Sequence, residues 1–173
     1  DCYTYAKAGI KPWYHGTSSA IVNGFSGENP EEHWLVLPGI NFDNYDDEVM
    51  TFTSYARFGT VDANNYLKLF YSADYPGIGD PTVSTWTELS FNQPVTGSVG
   101  TVELSALSGN IDLSGIGGTN VYLAFKYYST DNPTQWRIDD ILIQEVPAYD
   151  PISFVAAAAG STQIDLTFEP NTA

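Results

Sequence analysis

The feature that most constrains the fold is residues 120–145, where apolar and polar side chains alternate on both sides of a polar break. Two runs typical of β-strands, residues 121–128 and 136–143, flank seven polar residues, 129–135. In the first run, every second side chain points to the same face. That face carries Val121, Leu123, Phe125 and Tyr127. We therefore predict a β-hairpin with one face in the core and a second face of mixed character.

The rest of the chain repeats this pattern of short strands. Further β-type runs occupy residues 34–37, 49–58, 65–73, 86–91 and 100–107, with turn residues between them. In the second of these runs, the side that carries Met50 is predicted to face the core. No stretch shows a ten-residue helical period. Regularly spaced short strands indicate an all-β sandwich.

Two adjacent carboxylates, Asp139 and Asp140, lie within an apolar frame, residues 138–143. A buried charge without a partner costs several kcal/mol or shifts its pKa, so these groups need a cation. A metal ion is one possibility; the other is that Asp139 pairs with Arg137 or Lys126 while Asp140 is exposed. Neighbours on a strand point to opposite faces, so the two cannot aim at one scissile bond unless the strand bulges.

Several segments together resemble a known family. Residues 124–127 (AFKY) and 135–140 (QWRIDD) are similar to the C-terminal signature of choice-of-anchor J domains, relatives of the cleaved-adhesin domains. Upstream segments match the family in the same order: residues 33–38 (HWLVLP), 70–77 (FYSADYPG), 85–89 (TWTEL) and 108–113 (SGNIDL). The resemblance implies a jelly-roll β-sandwich of the galactose-binding-like type.

The same resemblance implies a role and a location. Such domains accompany adhesins, proteases, nucleases or glycan-utilisation proteins exported by polymer-degrading Gram-negative bacteria. We therefore expect a secreted or cell-surface accessory domain whose partners are a polysaccharide or surface polymer and the flanking domains of its own polypeptide.

The resemblance also implies a structural calcium ion. Similar jelly-roll sandwiches clamp Ca²⁺ between an acidic residue of the last strand and groups near the start of the domain. Asp139 or Asp140 would be one ligand, and Glu28, Glu31 and Glu32 are candidate partners. A second acidic cluster comprises Asp43, Asp46, Asp47 and Glu48. It lacks the spacing of an EF-hand loop, so a charged turn explains it more simply.

A set of aromatic and basic residues lies opposite the most apolar stripes of the predicted strands. Its members are Tyr55, Arg57, Tyr66, Lys68, Tyr122, Lys126 and Tyr128. If their strands are neighbours in one sheet, they form a platform for sugar rings. The alternative is a half-solvated sheet that uses Tyr for its β propensity. Trp13, beside Tyr14 and His15, is predicted either to stack on a ligand or to cover one end of the sandwich.

The charge and the motifs exclude several functions. The formal net charge of −15 repels nucleic acid and anionic lipid, and no apolar run is long enough to insert into a membrane. The sequence has none of the usual catalytic motifs (GxSxG, HExxH, P-loop, GxGxxG), and its single Cys2 cannot form an internal disulfide. Binding is therefore the first hypothesis, a structural or adhesion spacer without a small ligand the second, and a glycoside hydrolase the third.

The composition changes after residue 146. We predict a choice-of-anchor J-like sandwich over residues 1–146, a linker over 147–151, and a truncated fibronectin type III-like segment over 152–173. The last segment resembles the first two strands of such a domain, with Phe168 replacing the usual Trp. The alternatives are a strand pair packed on the main domain, or a tail.

Overall fold

The computed structural model describes residues 1–146, 154–160 and 163–168, and this part of the chain contains fifteen β-strands and two 3₁₀ turns. The predicted linker lies outside it. The strands are β1 (Tyr3–Ala8), β2 (Tyr14–His15), β3 (Ala20–Asn23), β4 (Glu31–Val36), β5 (Glu48–Arg57), β6 (Thr60–Val61), β7 (Asn65–Ser72), β8 (Thr87–Leu89), β9 (Gly97–Ser98), β10 (Leu104–Leu107), β11 (Ile111–Asp112), β12 (Tyr122–Ser129), β13 (Gln135–Glu145), β14 (Phe154–Gly160) and β15 (Gln163–Phe168). The turns are Phe42–Asn44 and Pro81–Val83. Nothing helical in these ranges is long enough to cross a membrane.

Two antiparallel sheets form the main layers. The first sheet has the order β1-β4-β12-β7-β8, and the second has the order β10-β5-β13-β3-β2, with β11 also paired to β5. A small additional pair, β6 with β9, lies outside both sheets. This arrangement confirms the predicted all-β jelly-roll sandwich.

The core lies between the two sheets, where the predicted alternation holds. Four side chains in the first run of the predicted hairpin were predicted to face inward, and all are at most 1% exposed. They are Val121, which precedes β12, and Leu123, Phe125 and Tyr127 of β12. On β5, Met50, Phe52 and Ala56 are buried as predicted, while Phe58 follows the end of the strand and is exposed. The rings of Phe52 and Phe125 meet edge to face across the two layers, with centroids 4.9 Å apart. Complete burial of one such side chain stabilises the fold by about 1.5–3 kcal/mol.

The predicted hairpin between β12 and β13 is wrong. Strand β12 pairs with β4 and β7 in the first sheet, whereas β13 pairs with β3 and β5 in the second. Residues 130–134 therefore cross from one sheet to the other. Both strands have an apolar face, and placing them in opposite layers lets those faces bury each other across the core. Alternation in the sequence fixes which side chains share a face but not which strand is the neighbour.

A covering loop, residues 73–86, folds over part of the outer face of the first sheet. Its Tyr75 is 2% exposed and joins Trp34, Val36 and Ala124 in a second, smaller cluster, against which Trp86 packs. Asp74 fastens the loop by accepting hydrogen bonds from the Ser72 hydroxyl (2.7 Å) and the Thr85 amide (2.9 Å). One half of this outer face is therefore covered, and the other half faces solvent.

The C-terminal strands β14 and β15 pair with each other in antiparallel fashion, from Phe154 opposite Phe168 to Gly160 opposite Gln163. The fibronectin type III resemblance and the predicted domain boundaries stay predictions.

Candidate functional site

Five of the eight predicted ligand-binding residues lie on the outer face of the first sheet. Tyr66 and Lys68 come from β7, and Tyr122, Lys126 and Tyr128 come from the adjacent β12. The register places Tyr128 opposite Tyr66 and Lys126 opposite Lys68. These two cross-strand pairs form a continuous surface, called here the outer-face platform.

The rings of the platform are arranged in a stack. Tyr66 and Tyr128 have centroids 5.3 Å apart and planes that differ by 25°. The ammonium group of Lys68 lies 5.2 Å from the Tyr66 centroid, and that of Lys126 lies 6.0 Å from the Tyr128 centroid. Both tyrosines are half-buried, so each ring keeps one part in solvent. The platform therefore presents an aromatic surface with positive groups at its side.

Each lysine of the platform is paired with a glutamate. Lys126 lies 3.0 Å from Glu32, which also accepts a 3.2 Å hydrogen bond from the Trp34 indole, and Lys68 lies 2.8 Å from Glu88. The platform is therefore electrically balanced. Burial raises the pKa of Tyr66, and the charges of Glu32 and Glu88 and the nearby Tyr128 raise it further. Its hydroxyl thus stays protonated near neutral pH and can donate a hydrogen bond.

Sequence reasoning missed the acidic half of this surface. From the sequence, Glu32 is only a candidate calcium ligand, Trp34 is part of a short apolar strand, and Glu88 is only part of a family motif. A usable signal was present, because Glu32 and Trp34 alternate on the strand and share a face. What the sequence lacks is the pairing of β4 with β12, which places that face beside Lys126.

Tyr122 lies on the same sheet face but under the covering loop. Its ring meets Tyr75 edge to face at 5.3 Å, and its hydroxyl accepts a 3.2 Å hydrogen bond from the Asn120 amide. The side chain therefore packs the second cluster and is not part of the platform.

Tyr55 and Arg57 lie on the other sheet, so the single platform predicted from all seven residues is wrong for these two. Their strand β5 pairs with β10 and β13, not with β7. The Arg137 guanidinium stacks 3.4 Å from the Tyr55 centroid, and Arg57 donates a 2.7 Å hydrogen bond to the Thr101 carbonyl. Both side chains thus have intramolecular partners far along the chain. Whether they contact a ligand stays a prediction.

Trp13 is buried, in agreement with its alternative role of covering one end of the sandwich. It is 4% exposed, and its indole donates a 3.3 Å hydrogen bond to the His33 carbonyl. Part of its surface lines a cleft of about 370 Å³, whose walls also include His15, Asp139 and Asp140.

Asp139 directly precedes a β-bulge in β13, and Asp140 lies within it. The register against β5 shifts between Asp139 and Leu142, and Asp140 has a left-handed φ of +54°. A bulge re-aims side chains, and both aspartates line the cleft. The bulge that the sequence argument named as its exception is therefore present, and the two aspartates line a common cleft.

Within the described residues, the neighbours of these aspartates form an ion pair and a hydrogen bond. Asp139 pairs with Arg137 at 3.2 Å and accepts a hydrogen bond from Ser18 at 3.4 Å, while Asp140 is exposed. Among the residues that the structure describes, no three His, Cys, Asp or Glu side chains come together to hold a metal ion. The candidate partners lie elsewhere: Glu31 pairs with buried His33, and Glu32 belongs to the lysine pair described above. The arrangement matches the ion-pair alternative, and calcium stays a prediction without an assembled ligand set.

Comparison with known proteins identifies a family and a fold. The model of a domain of unknown function, DUF5017, matches residues 15–162. No curated protein matches the sequence significantly. The K3 cleaved adhesin domain of Lys-gingipain from Porphyromonas gingivalis W83 is similar in structure, with 11% identity over 84% of this chain and 91% of that one and a TM-score of 0.51.

Two further structures show weaker similarity. The K1 cleaved adhesin domain of the same protein has 14% identity, covers 84% of this chain and 99% of that one, and has a TM-score of 0.48. The N-terminal cellulose-binding domain of Cellulomonas fimi β-1,4-glucanase C has 12% identity, 86% and 90% coverage and a TM-score of 0.45. The K3 similarity shows a shared β-sandwich fold, and the choice-of-anchor J assignment stays a prediction.

Proposed function

The chain belongs to the DUF5017 family of domains of unknown function, and we propose that it is a non-catalytic module that binds a glycan through its outer-face platform. On this proposal it is an accessory domain of a secreted or cell-surface bacterial protein. Its partners are a polysaccharide or surface polymer and the neighbouring domains of the same polypeptide. The similar K3 domain, a cleaved adhesin domain, agrees with a role in attachment but contributes only its fold.

The observation that carries the proposal is the stacked pair of Tyr66 and Tyr128 on an exposed sheet face. Aromatic rings provide large, rigid apolar surfaces, against which the C–H faces of sugar rings pack. Beside the rings, the Lys126–Glu32 and Lys68–Glu88 pairs offer donors and acceptors for hydroxyl groups. A partly exposed sheet face with this chemistry fits an extended polymer better than a small enclosed ligand.

Charge balance indicates which glycans suit the platform. Both lysines already have a carboxylate partner, and the whole chain carries a formal charge of −15. A polyanion would have to displace these glutamates and approach a strongly negative protein. We therefore propose neutral polysaccharides as the ligand class of this face.

The test is the loss of affinity when the rings are removed. Neutral polysaccharides are screened by affinity electrophoresis, and the binding oligosaccharide is titrated by calorimetry against the Tyr66→Ala and Tyr128→Ala variants. Each variant should weaken binding by about 0.5–1.5 kcal/mol, or roughly two- to twelvefold. The matched control is Tyr45→Ala, which removes a ring that is 55% exposed and outside the platform.

A structural spacer is the second candidate function, and one observation favours it. The two lysines and the Trp34 indole are already satisfied within the chain, so the face is complete without a ligand. If the folded domain binds no polysaccharide on a broad glycan array, the spacer function replaces glycan binding.

We also propose the structural calcium ion that the family resemblance implies, and this ion has its own test. An ion that binds the folded state raises the melting temperature, because binding adds to the free energy of unfolding. If Asp139 and Asp140 hold calcium, the Tm should be higher in calcium than in chelator, and the Asp139→Asn/Asp140→Asn variant should lose that difference. Equal Tm values in calcium and chelator would remove the ion from the proposed function.

A further inference from the structure

Loops at one end of the sandwich enclose a second possible site, called here the loop-end groove. It has a volume of about 430 Å³ and is formed where the chain leaves β3, β5 and β12. Its walls are Asn23, Phe25, Phe58, Gly59, Asn132 and Pro133. None of these residues belongs to the outer-face platform or to the cleft that contains the aspartates.

Two phenylalanine rings are exposed in this groove. Phe25 is 72% exposed and Phe58 is 38% exposed, although the chain has an apolar core available between its sheets. Isolated exposed apolar residues are common on protein surfaces, but two aromatic rings that line the same groove form a local apolar patch. The Arg57 guanidinium lies 4.5 Å from the Phe58 centroid, within the range of a cation–π contact.

The backbone around the groove adopts unfavourable conformations. Phe58 has a φ of +65°, Asn132 has +41°, and Ser26, which follows Phe25, has +57°. They are three of the five non-glycine residues with positive φ in the described part of the chain. A bulky side chain such as Phe is rarely found in this region, and such strain concentrates at functional sites.

The polar groups of the groove are neutral amides. The Asn23 side-chain oxygen accepts a 3.0 Å hydrogen bond from the Phe25 amide, which leaves its NH₂ group to donate. The Asn132 side chain donates a 2.7 Å hydrogen bond to the Thr60 hydroxyl, which leaves its oxygen to accept. None of the six lining residues is ionisable. A ligand with hydroxyl groups and apolar faces but no charge matches this lining.

We infer that the loop-end groove is a second binding site, for one or a few units of a neutral oligosaccharide whose C–H faces pack on Phe25 and Phe58. The inference rests on the proposed glycan-binding function but uses residues separate from the platform. A formal charge of −15 makes an anionic membrane a poor partner for the same rings.

Fluorine NMR tests this site directly. The chain contains nine phenylalanines, which are replaced biosynthetically by 4-fluorophenylalanine. The signals of Phe25 and Phe58 are assigned from the Phe25→Leu and Phe58→Asn variants. The probes are cellohexaose, xylohexaose and β-1,4-galactotriose. At least one probe should shift these two signals while the signals of the core rings Phe52 and Phe125 stay in place.

Two substitutions separate binding from folding. Phe25→Ala should weaken binding of that probe about five- to tenfold. Phe58→Asn should weaken it similarly but leave the melting temperature within a few degrees of the parent, because Asn tolerates positive φ better than Phe. The control Tyr45→Ala should change neither quantity.

The outcomes distinguish this inference from the proposed function. In the Tyr66→Ala/Tyr128→Ala variant, the Phe25 and Phe58 signals should still shift, since the groove does not use the platform. If that variant loses all binding and the two signals never move, the groove inference fails and the platform proposal stands. If no probe moves the signals, or only phosphatidylcholine vesicles do, the groove does not bind neutral sugars and the inference is overturned.

Discussion

At the scale of single residues, Glu31 shows how this chain tolerates a buried carboxylate. Its side chain is 1% exposed and accepts hydrogen bonds from the amides of Ile10 (3.2 Å), Lys11 (3.0 Å) and Glu28 (2.7 Å), and it also contacts His33. Burial raises the pKa of Glu31, but the hydrogen bonds from His33 and the three amides outweigh it and lower the pKa overall. Glu31 is therefore a structural anchor that ties two N-terminal loops to β4.

We predict that Glu31→Gln lowers the free energy of unfolding by about 2–3 kcal/mol at pH 7, because charge-assisted hydrogen bonds are lost in a buried site. A carboxyl group with a depressed folded-state pKa stabilises the fold above its unfolded pKa, and this contribution disappears as the pH falls through the folded-state pKa. The difference in the free energy of unfolding between parent and variant should therefore narrow below about pH 4.5, the ordinary pKa of a glutamate side chain. Urea unfolding from pH 7 to pH 3 measures it.

Glu145→Gln is the matched control, because Glu145 is exposed and its removal should leave the stability and its pH dependence nearly unchanged. A gap for Glu31→Gln that stays constant down to pH 3 would contradict the assigned pKa direction.

At the scale of elements, strands β5 and β12 belong to different sheets and contact each other across the core. Phe52 on β5 and Phe125 on β12 meet at 4.9 Å with planes 88° apart. Phe52 also contacts Phe91 at 5.1 Å. This packing requires β12 to lie opposite the sheet that contains β5 and β13, which is why residues 130–134 cross between layers and do not form a hairpin turn.

A double-mutant cycle on Phe52→Leu and Phe125→Leu should reveal this contact. Each substitution keeps an apolar side chain of similar size and should cost less than about 1.5 kcal/mol. The double variant should lose about 0.5–1.5 kcal/mol less stability than the sum of the two single variants. The reason is that either substitution alone already removes the edge-to-face pair. Denaturant unfolding measures each free energy.

The control cycle combines Phe52→Leu with Phe70→Leu, since Phe70 packs against Trp34 on the outer face. Those two effects should add. Additive effects for Phe52 and Phe125 would contradict the face-to-face arrangement of the sheets.

At the scale of the whole molecule, an excess of acidic residues surrounds the sandwich. The chain has 21 Asp and Glu residues against 6 Lys and Arg, and several of the basic side chains are already paired with carboxylates. Self-repulsion of this charge destabilises the compact state, and salt screens it. In the outer-face platform, by contrast, each lysine is paired with a glutamate, and the six residues that line the loop-end groove include no ionisable group.

We therefore predict that salt changes the stability of the fold but has little effect on binding. The melting temperature should rise by a few degrees between about 10 mM and 150 mM NaCl, because the Debye length falls from about 30 Å to about 8 Å. Over the same range the affinity for a neutral oligosaccharide should change by less than about twofold. Thermal denaturation and calorimetry provide the two readouts. A steep change of this affinity with salt would show that charged groups of the protein dominate binding and would contradict the platform proposal.

The sequence by itself determined the fold class and the inward faces of most strands. Period-two alternation is a local property, so the burial of Leu123, Phe125, Met50 and Phe52 followed directly from the order of residues. The same local pattern correctly placed Tyr66, Lys68, Lys126 and Tyr128 on the side away from the core.

Only the tertiary structure decided which of those faces meet. It separated Tyr55 and Arg57 from the platform, brought Glu32 and Glu88 to the lysines, and placed Phe25 and Phe58 around one groove. Strand pairing depends on contacts between residues far apart in the chain, and an alternating pattern is compatible with many partners. The bulge that turns Asp139 and Asp140 toward one cleft has the same origin, because it exists only in the register of β13 against β5.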